Sequence, residues 1–168
     1  MVHELGATAK LFNLMSHEER VIVRNSTMAF ALLSGHPEVR KFLRQNPQII
    51  DKIISFLSPD YDALTNEYAA LWLKNMSEDY STKTVLASNQ DALINLINML
   101  SVHDPDAVYN SVGTLDKLVA DYQPRQVIRE LKGIEPILNL IKSEFPQIQE
   151  TVFSALAKIT QNGKKKIL

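Results

Sequence analysis

A phrase that returns every 42 or 43 residues constrains the fold of this 168-residue chain more than any other feature. The four copies are GATAKLFNLMS (6–16), QIIDKIISFLS (48–58), DALINLINMLS (91–101) and GIEPILNLIKS (133–143). Each copy ends in a serine, and the steps between these serines are 42, 43 and 42 residues. Within each copy the apolar residues keep the spacing of an amphipathic helix. The chain is therefore predicted to be an array of like helical units.

Two further helical segments complete each unit. A longer phrase follows each copy, at 21–34, 65–77, 107–120 and 148–160, and a shorter one precedes three of them, at 37–45, 81–89 and 124–132. Prolines at Pro37, Pro124 and Pro146 are predicted to open helices, where the missing N–H is not needed. The sharp turn before the medium helix is predicted to need a left-handed residue. Gly6, Gly133, Asn46 and Asn89 stand at these turns.

A period of this length with three helices indicates HEAT or armadillo repeats, and the glycine before the medium helix favours armadillo. Residues 133–159, GIEPILNLIKSEFPQIQETVFSALAKI, closely resemble the armadillo consensus over both of its longer helices. Further phrases that resemble a member of this family are TMAFALLS (27–34), NMSEDYSTK (75–83), SVHDPDAVYNS (101–111) and PILNLIKSEFPQIQ (136–149). The resemblance implies an all-α fold, a right-handed armadillo-type α-solenoid of about four stacked repeats with the first and last incomplete.

The predicted domain is a single armadillo-repeat segment over residues 1–168. Its divisions are a partial repeat (1–36), three repeats (37–79, 80–122 and 123–163) and the start of another (164–168). We expect a piece excised from a longer array, because the first helix carries Leu11, Phe12, Leu14 and Met15 with nothing before it to cover them. End-to-end self-association through uncapped ends is a further expectation.

Composition narrows the possible functions. The chain has no cysteine and no apolar stretch long enough to cross a bilayer, which disfavours thiolate metal sites and membrane insertion. None of the four histidines, His3, His17, His36 and His103, forms a metal-ligand pair at helical spacing. No phosphate loop, nucleophile elbow or paired-carboxylate pattern is present. We therefore predict no enzyme activity, catalytic residue, metal, cofactor or small-molecule substrate.

Charged residues are unevenly distributed along the chain, although the imbalance is modest. Residues 1–122 carry 10 Lys+Arg against 15 Asp+Glu, and residues 123–168 carry 8 against 4, with much of that excess in Lys164, Lys165 and Lys166. Binding to nucleic acid needs basic residues clustered on one face, so it is disfavoured. A protein partner, as an extended peptide or a domain, is the predicted ligand.

The resemblance implies that the third helix of each repeat lines a concave groove. Positions at equal offsets in the four long helices are the predicted partner-binding residues: Asn25, Met28, Leu32, Tyr68, Leu71, Asn75, Asn110, Gly113, Lys117, Thr151, Ser154 and Lys158. In the family the late position is often an asparagine that binds the backbone of an extended peptide, and here Asn75 alone matches it. Lys117 and Lys158 predict a polar, basic floor for a somewhat acidic segment. The alternative is an idle, solvated face.

Importin-like members pair that asparagine with a tryptophan four residues earlier, whereas Trp72 lies three residues before Asn75 and is predicted to pack in the core. The leading hypothesis is an interaction scaffold that binds a partner along the groove. A purely architectural segment of a larger axonemal or transport assembly is the alternative. The family resemblance further implies a cytoplasmic protein of ciliated and male germ cells, associated with the cilium or flagellum.

Overall fold

The protein is described here by a computed structural model that covers residues 6–161, and this part of the chain is built of helices without strands. The helices are α1 (Ala7–Leu14), α2 (Arg20–Leu33), α3 (Pro37–Gln45), α4 (Gln48–Ser55), α5 (Ala63–Met76), α6 (Tyr80–Ser88), α7 (Gln90–Met99), α8 (Pro105–Leu118), α9 (Tyr122–Glu130), α10 (Ile134–Asn139), followed by a 3-10 turn at Leu140–Lys142, and α11 (Pro146–Ile159). His3 and the predicted start of another repeat at 164–168 lie outside the described residues.

The helices form four layers, α1–α2, α3–α5, α6–α8 and α9–α11. The long helices α2, α5, α8 and α11 pack side by side in that order, and one apolar cluster runs through the layers. Phe30, Leu73 and Leu115 recur in one register and are buried, as their spacing predicts. Leu156, at the same position of α11, is half-buried. The predicted α-solenoid is confirmed.

The long helices begin one or two residues before their predicted starts, and acidic residues cap two of them, α5 and α8. The Asp62 carboxylate accepts the backbone N–H of Thr65 (3.1 Å), and Asp104 likewise caps α8. The prediction that Pro124 opens its helix is wrong, since α9 starts at Tyr122 and Pro124 is its third residue. First-turn N–H groups have no acceptor within the helix, so the proline is still tolerated there.

The turns before the medium helices follow two different physical rules. Gly6 is left-handed, with φ 66°, as predicted. The prediction is wrong for Gly133, whose φ is −68°, and the left-handed residue there is Lys132 (φ 57°). Space explains this glycine instead, because an added Cβ would lie 2.7 Å from Ile97 Cδ1 and 3.0 Å from Ile128 Cγ2. Close packing against other helices, rather than a left-handed backbone, is therefore the reason for glycine at this turn.

Asparagines at the other two turns are not left-handed either, with φ −131° at Asn46 and −92° at Asn89. Asn46 uses its side-chain amide to donate to the Phe42 carbonyl (2.8 Å), and Asn89 accepts from the Ala92 N–H (3.0 Å). Asparagine is therefore suited to these turns by its side-chain hydrogen bonds, which end one helix and start the next.

The first helix is better covered than the sequence predicts. Met15 is fully buried, and Leu11 and Phe12 are half-buried, so the expectation of an uncovered face is wrong for these residues. Of the four apolar residues at this end of the chain, only Leu14 is substantially exposed, at 40%. Met15 follows α1 directly and belongs to the apolar cluster of the solenoid.

Candidate functional site

The candidate binding surface is the solvent-facing side of the four long helices, here called the groove face. Each long helix contributes one residue to each of three rows. The early row is Asn25, Tyr68, Asn110 and Thr151, the middle row is Met28, Leu71, Gly113 and Ser154, and the late row is Leu32, Asn75, Lys117 and Lys158. Asn110 and Gly113 are buried, Asn25 and Leu32 are exposed, and the others are half-buried. The predicted site residues thus share one side of the long helices; their role in binding stays a prediction.

The late row joins neighbouring layers. The Asn75 side-chain amide donates to the Ala31 carbonyl (3.2 Å) and to the Ser34 hydroxyl (3.0 Å), both at the end of α2. One layer further, the Lys117 ammonium donates to the Lys74 carbonyl (3.4 Å) at the end of α5. The last carbonyls of a helix have no partner within it. The Ala31 and Lys74 carbonyls each accept a serine hydroxyl at the end of their own helix, and the side chain from the following layer adds a second donor.

Lys158 repeats the arrangement in the last layer. Its ammonium donates to the Asp116 carbonyl (3.2 Å) and to both carboxylate oxygens of Asp116 (2.8 and 2.7 Å). Leu32 holds the equivalent place in the first layer, cannot donate a hydrogen bond and is 62% exposed. Three of the four late-row residues therefore donate hydrogen bonds to the end of the preceding long helix.

The predicted basic floor needs correction. Lys117 pairs with Glu78, and Lys158 pairs with Asp116. Each lysine charge is therefore matched by a neighbouring carboxylate, and the reason to expect an acidic partner segment is removed. The Asn75 side-chain nitrogen already donates to α2, which leaves its side-chain oxygen to accept an N–H of a peptide backbone.

Two residues of the groove, Lys74 and Tyr109, were not among the predicted site residues. Lys74 of α5 lies along Gly113 of α8, where an added Cβ would stand 3.2 Å from Lys74 Cε. The Lys74 ammonium lies 3.5 Å from the centre of the Tyr109 ring and donates to Asn110 Oδ1 at 3.3 Å. A glycine inside a long helix was the available signal, because such a glycine usually has a packing reason.

The edge of the groove face near the starts of α5 and α8 is acidic. Burial raises the pKa of Glu67, and the charges of Asp104 and Asp106 raise it further. No ion pair joins Glu67 or Asp106 to another residue within 6–161. This edge therefore carries negative charge that no ion pair in the described part of the chain neutralises.

Replacing Glu67 by glutamine is expected to raise the free energy of unfolding at neutral pH by about 0.2–1 kcal/mol. A raised folded-state pKa means that the ionised carboxylate destabilises the fold above that pKa. The advantage of Glu67→Gln should vanish as the pH falls below the ordinary glutamate value of 4.5. Chemical denaturation at several pH values measures it. Exposed Glu144, changed to glutamine, is the control and should show no comparable gain.

Trp72 lies in the core, as predicted. It is 2% exposed, and its ring stacks on Phe30 with centroids 5.1 Å apart. It therefore contributes nothing to the groove face, and the paired tryptophan and asparagine of importin-like grooves are not reproduced at Asn75.

Residues 6–161 contain no cluster of three or more His, Cys, Asp or Glu side chains placed to hold a metal ion. No helix in that range is long and apolar enough to span a membrane.

Comparison with known proteins shows what the chain resembles in sequence and in fold. Residues 121–161, which contain α9 to α11, match the armadillo/beta-catenin-like repeat. A structure of computationally designed armadillo repeat proteins for modular peptide recognition superposes with a TM-score of 0.82 at 17% identity, covering 94% of this chain and 66% of that one. The chain has the fold of an armadillo-type α-solenoid. A designed armadillo repeat protein in complex with the peptide (KR)4 superposes with a TM-score of 0.77 at 16% identity and the same coverages.

The armadillo resemblance extends to a natural relative. Human armadillo repeat-containing protein 3 is 37% identical over 109 residues, which is 65% of this chain. The chain spans only 12% of that relative's length. The predicted resemblance to armadillo repeats and to this relative is thus confirmed.

Proposed function

We propose that this armadillo solenoid is a protein-interaction scaffold that binds an extended segment of a partner protein along the groove face. The observation that carries the proposal is the register of the three rows across four long helices. Adjacent packed helices lie 8–10 Å apart, and an extended peptide advances about 3.3 Å per residue. Each layer therefore meets two or three peptide residues, and the four layers suit a segment of about 8–12 residues.

The similar proteins support this proposal. One structural neighbour was designed for peptide recognition, and another is in complex with a peptide. Armadillo repeats generally serve as non-enzymatic scaffolds, so no reaction is assigned to the chain. A partner bound along the groove would contact side chains of every layer, which gives modular specificity.

Replacing Ser154 by tryptophan is expected to weaken binding of a partner segment at least about tenfold, because a large ring would obstruct the groove face. Ser154 is half-buried and makes no side-chain hydrogen bond to another residue in 6–161, so stability should change by less than about 0.5 kcal/mol. Partners recovered by affinity purification supply the peptides, and fluorescence anisotropy measures their affinity.

Phe153→Glu is the matched control for Ser154→Trp, since Phe153 is the adjacent residue, is 54% exposed and lies outside the three rows. It should leave peptide affinity unchanged. A chain whose Ser154→Trp and Leu32→Glu variants keep full affinity for every recovered partner would contradict groove binding.

An architectural role in a larger assembly is the second candidate, and one observation favours it. Phe153 and Leu138 are 54% and 46% exposed on the last layer, whereas the equivalent Val112 and Leu96 of the third layer are fully buried. Such an apolar end face suits docking of another helical layer or end-to-end self-association. Under this alternative, Phe153→Glu would lose the partners that Ser154→Trp keeps, and light scattering would report a change of oligomeric state.

We also propose a cytoplasmic location associated with the cilium or flagellum, a proposal that rests on the family resemblance. Immunofluorescence in ciliated and male germ cells tests it. Uniform staining elsewhere, with none at these organelles, would contradict it.

A further inference from the structure

Lys74 differs from the other two lysines that lie across layers of the groove face. Lys117 and Lys158 are each fixed by a carboxylate and a main-chain carbonyl. The Lys74 ammonium meets only the Tyr109 ring and the neutral Asn110 amide oxygen, and no carboxylate within 6–161 pairs with it. A ring and an amide hold an ammonium less firmly than a carboxylate does.

The surface under Lys74 is built for a cation. The π-face of Tyr109 attracts positive charge, and Asn110 is only 6% exposed while its Oδ1 points at the ammonium. Gly113, without a side chain, leaves room for the aliphatic stem to lie against α8. This arrangement would accept any lysine-like or arginine-like group that approached from the groove.

The surrounding charge favours the same kind of ligand. Glu67, Asp104 and Asp106 lie at the starts of α5 and α8, and none of the three has an ion-pair partner within residues 6–161. Negative charge at one edge of a groove attracts a basic segment and opposes an acidic one.

We propose that Tyr109 and Asn110 form a cation subsite of the groove, and that Lys74 is its internal occupant, displaced when a lysine or arginine of a basic partner segment binds. The proposal rests on the groove-binding function proposed above and specifies the chemistry of its ligand. An internal occupant lowers the apparent affinity, because the open form of the subsite is only partly populated.

Lys74→Met removes the ammonium and keeps a stem that covers Gly113. We expect it to bind a peptide of alternating lysine and arginine about three- to tenfold tighter than the parent chain. Lys74→Arg should stay near the parent value, because a guanidinium occupies the ring equally well. The double variant Lys74→Met, Tyr109→Leu should lose the gain. Calorimetric titration measures all four chains.

Lys142→Met controls for net charge, since Lys142 is exposed, lies outside the three rows and leaves the Tyr109 subsite unchanged. An equal gain in Lys142→Met, a gain that survives Tyr109→Leu, or no difference between Lys74→Met and the parent would each overturn the proposal. So would a failure of both the parent chain and Lys74→Met to bind the basic peptide. Failure of groove binding itself is separate, because it would appear as retention of partners by Ser154→Trp.

Discussion

Replacing Trp72 by alanine is expected to lower the free energy of unfolding by about 3–5 kcal/mol. The side chain is 2% exposed and stacks on Phe30, so it fills the space between the first two layers. Truncation would leave a cavity that helices fixed on both sides cannot close. In a chain of this size the melting temperature should fall by roughly 10 °C. Thermal and chemical denaturation followed by far-ultraviolet circular dichroism measure the loss.

Two further variants show whether ring packing is the cause. Trp72→Phe keeps an aromatic ring against Phe30, and the indole N–H that it removes has no hydrogen-bond partner in 6–161. We expect it to lose much less than Trp72→Ala. Phe153→Ala removes an exposed ring and should change stability by less than about 0.5 kcal/mol. Equal losses in Trp72→Ala and Phe153→Ala would refute the assignment of Trp72 to the core.

The second large effect is expected at Gly133, where alanine should cost about 1–3 kcal/mol. The backbone there has an ordinary φ, so the cost is purely steric. The added methyl group would press on Ile97 and Ile128, which are both buried and have little room to move. Urea denaturation of the variant and parent chains measures the cost.

Gly35 provides the matched control for Gly133. No heavy atom lies within 4 Å of a Cβ added there, and its φ is not positive. Gly35→Ala should be neutral or stabilise the chain by up to about 0.5 kcal/mol, through lower entropy of the unfolded state. A stable Gly133→Ala chain would show that the contact with Ile97 relaxes freely.

Periodicity was enough to predict the helices and the core, but not the helix ends. The repeat spacing placed Phe30, Leu73 and Leu115 in one buried register, because burial follows the period of the helix. The turn residues were assigned a single cause, a left-handed backbone, whereas Gly133 is set by packing and Asn89 by capping. The packing at Gly133 depends on Ile97 and Ile128 of other helices, which local sequence does not place. The Asn89 cap is local, and its side chain was the available signal.

The groove face shows the same division. Register alone brought Asn75, Lys117 and Lys158 to one row, but their partners lie 39–44 residues away in the chain. The lysine charges are evident in the sequence, whereas the carboxylates that pair with them come from other helices and could not be located from sequence. Lys74 was overlooked because its contact with Tyr109 joins two layers.

The late-row bonds also bear on how such arrays change length. Asn75, Lys117 and Lys158 differ in chemistry, yet each finishes the long helix of the layer before it. The contact between layers requires only a side chain that can donate a hydrogen bond and is long enough to reach the carbonyl. Amide and ammonium groups can therefore replace one another at this position. Duplication or loss of a whole internal unit would therefore keep a donor beside the end of the preceding long helix, so the number of repeats can change without new contacts at these junctions.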